Sequence, residues 1–142
     1  FAGFALCLAA ADMQMGTWKL NEAKSKLAPG MGMNHTVVYA AAGDNVKVTV
    51  DGVDKDGKPT HNEWTGKFDG KDYPVTGDPN SDMRSYKTID AHKLALTVKK
   101  GGKVTVSGHI EVSHDGKTRT VETKGTDPSG KHIENKAVYD KQ

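Results

Sequence analysis

Cysteine occurs once in this 142-residue chain, as Cys7, so no disulfide can form within it. Aromatic residues make up only 6% and hydrophobic residues 35%, too lean a supply for thick helical packing. Arginine is scarcer still. Arg84 and Arg119 are the only two among twenty basic residues. No apolar run approaches the ~20 residues a membrane-spanning helix needs. Nor does charge of one sign dominate: 20 basic and 18 acidic residues are interleaved, for a net charge of +2. A nucleic-acid-binding chain would be expected to gather its basic residues, so no nucleic-acid partner is expected.

The longest apolar stretch opens the chain, in FAGFALCLAAADMQMG, and turns polar at Asp12. Its length fits the apolar segment of a secretory signal, with Ala9, Ala10 and Ala11 as the small residues before a cleavage point. Residues 1–11 are therefore expected to be a truncated signal peptide. Residues 12–142 are expected to form one domain in a periplasmic or secreted, bacterial protein. Phe4 and Leu6 fit poorly around Cys7 as a lipoprotein signal, so the mature domain would lack cysteine.

Glycine, at sixteen residues, is what the chain has in plenty. It falls in turn pairs: Gly43-Asp44, Asp56-Gly57, Asp69-Gly70, Gly77-Asp78, Gly101-Gly102, Asp115-Gly116 and Ser129-Gly130, with Asp90-Ala91 between. The spacing, about ten to fourteen residues, is that of a strand plus a tight loop. Asp-Gly suits hairpin turns, whose central positions need positive φ. Between the turns, residues alternate with period two. Val46, Val48 and Val50 share one face; so do Trp64 and Phe68; Leu94, Leu96 and Val98; Val104, Val106, Ile110 and Val112; and Ile133, Ala137 and Tyr139. Ten strands result, the first around Thr17–Leu20. A meander with one apolar face hides that face and both edges by closing on itself. An all-β, antiparallel up-and-down barrel of about ten strands is therefore expected, an open sandwich being the alternative. A single helical turn at residues 21–26, capped by Asn21, should follow strand one.

Gly16-Thr17-Trp18 at the start of such a barrel resembles the Gly-x-Trp opening of the lipocalins and the wider calycin group. The strand number resembles the fatty-acid-binding branch of that group. The sequence is also similar to a group of uncharacterised small secreted proteobacterial proteins, with GTWKLN near the start and VYDKQ at the end. The lipocalin likeness implies a ligand cavity in the lumen. Lipocalins usually pack an arginine of the last strand over the Trp; the last strand here has Lys136 and no arginine. The residues between Asn21 and Met33 are too few for the two-helix lid of the fatty-acid-binding group.

Three constellations are candidates for chemistry. DGVDKDGKPTHNE, Asp51 to Glu63, partly matches a calcium loop, but the first ligand position falls on Gly52 and both flanks are strand-like. It is expected to be a hairpin turn, and no metal or cofactor is expected. A repeated His-x-Glu (His61/Glu63, His109/Glu111, His132/Glu134) pairs imidazole with carboxylate on one strand face. All three lie opposite the apolar residues, which makes them a solvated outer surface first and a surface metal site second.

Arg84 shares a strand face with Tyr86, and Arg119 with Val121. An inward guanidinium and phenol can hold a carboxylate away from water. The competing reading has both arginines facing solvent, or Arg119 stacked on Trp18 at the barrel end. Tyr39, Trp64, Phe68 and Tyr73 are candidate pocket-lining residues or, equally, core.

No nucleophile elbow, phosphate loop or dinucleotide fingerprint is present, and no enzymatic role is indicated. The expectation is an exported, monomeric, non-enzymatic protein. It would carry a small apolar or amphiphilic ligand at Trp18, Tyr39, Trp64, Phe68, Tyr73, Arg84, Tyr86 and Arg119. The alternatives are an envelope module binding protein or glycan on its outer surface, or surface metal binding through the His-x-Glu pairs.

Overall fold

A computed structural model of the protein describes residues 12–126 and 129–142; the expected signal peptide lies outside the described residues. Ten antiparallel strands form one closed barrel. They are β1 (Gly16–Leu20), β2 (Met33–Ala42), β3 (Asn45–Val53), β4 (Pro59–Gly66), β5 (Tyr73–Thr76), β6 (Met83–Thr88), β7 (Lys93–Lys100), β8 (Lys103–Val112), β9 (Thr118–Thr126) and β10 (His132–Lys141). Each strand pairs with its neighbour in sequence, and β1 closes the ring against β10. No helix among the described residues is long and apolar enough to cross a membrane.

Closure follows from the alternation. Val46, Val48 and Val50 of β3, Trp64 of β4, Leu94 and Leu96 of β7, and Ile110 and Val112 of β8 all turn inward and are buried. Each large apolar side chain so buried is worth roughly 1.5–3 kcal/mol. The turns are shaped by aspartate as much as by glycine. In the β3–β4 turn Asp54 Oδ1 accepts from the amides of Asp56 at 2.8 Å and Lys58 at 2.9 Å, and Gly57 has φ +80°. The same side-chain-to-amide contact, two residues on, recurs at Asp69, Asp78, Asp90 and Asp115. These carboxylates are occupied by the backbone that bends around them. After β1 comes a 3-10 turn, Glu22–Lys24, capped by the Asn21 side chain.

Two irregularities matter. The β7–β8 register shifts between Val98 and Lys99, so that Lys99 rather than Lys100 faces Val104 and Thr105 is left without a register partner. Val104, expected on the apolar face with Val106, is therefore turned outward and 57% exposed. The bulge inserts one unpaired residue and exchanges the two faces. The other concerns β5, which holds its neighbours through few register pairs: Glu63↔Thr76 and Trp64↔Val75 to β4, Tyr73↔Arg84 and Pro74↔Met83 to β6.

At Gly108 of β8 and Gly125 of β9 the strands pass so closely that a Cβ would collide with a backbone carbonyl, that of Glu122 and of Thr105 respectively. Neither carbonyl can move without breaking the ladder. Gly108→Ala is expected to destabilise the barrel by about 1–3 kcal/mol, the usual cost of overpacking. Equilibrium urea unfolding checks this, an unchanged midpoint being the contrary result.

Candidate functional site

The even connections of the meander (β2–β3, β4–β5, β6–β7, β8–β9) lie at one end of the barrel, and the odd ones at the other. Side chains fill the first end. Trp18, fully buried, donates from Nε1 to the Gln14 carbonyl at 2.8 Å, and Lys141 Nζ sits 5.6 Å from its ring centre. Trp64, Phe68, Tyr39 and Tyr86 pack edge to face or tilted, with centroids 4.8–6.5 Å apart. Tyr73, on β5, stacks on Trp64 and gives its hydroxyl to Asp69.

Above this plug the lumen is open. A cavity of about 620 Å³ reaches the other end, lined by wall residues such as Val50, Leu96, Val106 and Val121. Its floor is polar. Arg119, at the start of β9, is only 3% exposed. Its Nε donates to Gln14 Oε1 at 3.0 Å and one terminal nitrogen donates to the Tyr39 hydroxyl at 2.5 Å. The guanidinium also lies over the Tyr39 and Tyr139 rings, 5.1 and 5.2 Å from their centres. Among the described residues no carboxylate comes within ion-pair distance of it. Burial acts against its charge, but the oxygens of Tyr39, Tyr86 and Tyr139 act for it, and the net displacement of its pKa is upward. The floor is thus a permanent cation whose described hydrogen-bond partners are neutral.

The hydroxyls of Tyr39 and Tyr86 are 3.0 Å apart. Either hydroxyl can donate in this pair, and the Tyr39 oxygen also accepts from Arg119. Tyr86 lines the cavity. Guanidinium and phenols therefore form a hydrogen-bonded chain that ends at the lumen.

Arg84, two residues before Tyr86 and also inward, lines the cavity nearer the mouth. It is held loosely: Asn62 Oδ1 at 3.5 Å, Asp78 Oδ2 at 3.7 Å, and no partner for Nε among the described residues.

Of the eight side chains singled out in the sequence, Arg84, Tyr86 and Arg119 face the cavity. Tyr39 lies in the hydrogen-bonded chain without lining it. Trp18, Trp64, Phe68 and Tyr73 are in the packing around the plug and do not line the cavity. Arg119 does not stack on Trp18; Gln14 links the two instead. Gln14 and Tyr139 belong to the floor, and neither stood out in the sequence. Tyr139 reads there as one more apolar-face residue, and Gln14 lies ahead of the first strand.

The His-x-Glu pairs lie outside. His61 Nδ1 is 2.6 Å from Asp51 Oδ1, and this hydrogen bond, with the Asp51 charge, raises the imidazole pKa above its ordinary value. No group of three metal-ligating side chains is present among the described residues.

No family model matches this sequence, and no curated protein matches it. Solved structures do resemble the fold. One, "EF1p2_mFAP2b bound to DFHBI", aligns with a TM-score of 0.56 and 10% identity, covering 96% of this chain and 99% of that one. Another, "a redesigned beta barrel, mFAP1, bound to DFHBI", gives a TM-score of 0.49 and 14% identity over 94% and 99%. The chain is a closed ten-strand antiparallel β-barrel of that general form.

Burial raises the pKa of Tyr39 well above 10, the neighbouring Arg119 opposing only in part. The unfolded phenol ionises near 10, so the folded state holds the proton longer. Stability from this group is complete below pH 10 and is lost as pH rises beyond it. Tyr39→Phe, which cannot ionise, is expected to flatten the fall in urea midpoint between pH 9.5 and pH 11 measured by circular dichroism. An unchanged slope would count against a neutral, buried Tyr39.

Proposed function

We propose that the protein is a carrier, without enzymatic activity, of a small amphiphile whose acidic group sits on the Arg119–Tyr39–Tyr86 floor. Its apolar body would lie along Val50, Leu96, Val106 and Val121. The observation that carries this reading is the buried guanidinium beneath an open cavity, satisfied by neutral groups. A cation so placed is costly unless hydrogen-bonded, and it gains most from an anion that shares its dry site. The cavity volume falls in the range of small-ligand pockets. A barrel of similar fold holding the small molecule DFHBI lends support of the weaker, fold-level kind. The expected export places the carrier in a periplasm or outside the cell.

Two dyes with one aromatic skeleton test it. Anilinonaphthalene sulfonate is anionic; N-phenyl-1-naphthylamine is neutral. Fluorescence titration should give saturable binding of both to the wild type. Arg119→Met should weaken the anionic dye about 10- to 100-fold, the worth of a charge-assisted hydrogen bond, and the neutral dye little. Failure of both dyes to bind, or an equal loss for both, would overturn the proposal. Native mass spectrometry of protein from its own source would then identify the natural ligand.

A further inference from the structure

The mouth of the barrel carries a charge pattern that the interleaved sequence hides. Ring order sets the β7–β8 turn, the β9–β10 turn and the β1–β2 connection side by side, with the β3–β4 and β5–β6 turns opposite. On the first arc stand Lys100, Lys103, Lys124 and Lys26, all exposed, with Lys100 and Lys124 reaching the cavity rim. The acids among them are Glu22, Asp82, whose Oδ2 accepts from the Gly101 amide of the β7–β8 turn at 2.9 Å, and Glu134, 3.8 Å from Lys124 Nζ, where both side chains are largely solvated; Asp127 lies outside the described residues. On the second arc stand Asp54, Asp56 and Asp78, with Lys55, Lys58 and Arg84.

The basic arc also holds apolar surface. The chain from Leu27 to Met33 reads LAPGMGM, with no charged residue. It is pinned at its start, where Lys26 exchanges backbone hydrogen bonds with Lys136 at 2.7 and 2.8 Å and the Ala28 amide donates to Asn135 Oδ1 at 2.5 Å. Beyond that point it overhangs the lumen, Leu27 and Met31 lining the cavity. Val104, turned outward by the bulge, adds an exposed apolar side chain beside Lys103. Apolar residues ringed by lysines are what an anionic bilayer takes: the lysines meet the headgroups and the apolar side chains enter the acyl boundary. A nucleic-acid face would want arginine and aromatic side chains, and this arc has neither.

We infer that the basic arc of the mouth is a docking surface for an anionic lipid bilayer, with the β1–β2 connection lowermost and the acidic arc tilted away. The contact is reversible and electrostatic, and it does not depend on whether the lumen is loaded.

Co-sedimentation of the unloaded protein with vesicles tests this, using equimolar phosphatidylglycerol and phosphatidylcholine against phosphatidylcholine alone. Binding is expected on the anionic vesicles only, and it should be released by salt. Lys100→Glu with Lys103→Glu should lower partitioning about tenfold or more, whereas Asp54→Lys with Asp56→Lys on the opposite arc should leave it undiminished. Met31→Ser should weaken low-salt binding, though by less than the lysine reversal does. Arg119→Met should retain vesicle binding even if it loses the anionic dye, which separates this surface from the lumen. Far-ultraviolet circular dichroism verifies that each variant is folded. Absence of binding to anionic vesicles overturns the inference. So does insensitivity to the Lys100/Lys103 reversal, or equal binding to duplex oligonucleotide with the same mutational pattern.

Discussion

The first and last strands meet over a short register, Trp18↔Lys141, Lys19↔Asp140 and Leu20↔Tyr139, and on that seam the ring closes. Were it to part, β10 and β1 would each present an unpaired edge and the apolar lining would face water. The pairing is short for such a task, and side chains reinforce it. Trp18 is tied to Gln14, Gln14 to Arg119 on β9, and Arg119 to Tyr39 on β2. Farther along, Asn21 donates to the Asp140 carboxylate at 2.9 Å, and the Ser25 hydroxyl accepts from the Val138 amide. The guanidinium at the floor of the cavity is thus a clasp on the closure as well as a candidate anchor.

That double role explains a conflict within the molecule. A buried cation with only neutral partners is poor economy for stability, since an apolar residue would pack there without desolvation. It is tolerated because two rings and two hydrogen-bond acceptors surround it. Arg84 is the contrasting case. Its contacts are long, one nitrogen has no partner among the described residues, and it stands beside the mouth. The deep arginine is held by the fold, and the shallow one only loosely.

The barrel is plainly written in the sequence because each of its parts is local. An Asp that bonds the amide two residues on, a glycine of positive φ, and alternation between them are signals within a dozen residues of one another. Alternation also put Arg84 on one face with Tyr86 and Arg119 on one face with Val121, though it left open whether those faces turn inward. Beyond that the sequence falls silent. Gln14 and Arg119 are 105 positions apart, and closure alone brings them together. Tyr139 bonds the Asn34 carbonyl across a similar separation. The bulge at Val98/Lys99 left no mark in the pattern, so Val104 reads as core although it is exposed. Strand period says which way a residue points, but not how far along the lumen it lies; hence Trp64, Phe68 and Tyr73 read as lining and sit in the plug.

The close passage of strands at Gly125 has an evolutionary consequence. This residue is part of the cavity wall, and the carbonyl of Thr105 stands where its Cβ would be. Some of the lumen's emptiness is therefore owed to a position that cannot accept a larger residue while the ladder persists. Descendants of this chain could instead retune its volume at aliphatic wall positions such as Val50, Leu96, Val98, Val106 and Val121, by exchanging one branched side chain for another. Selection on the size of the lumen and selection on barrel integrity would act on separate residues, leaving the interior free to change shape without loosening its hoop.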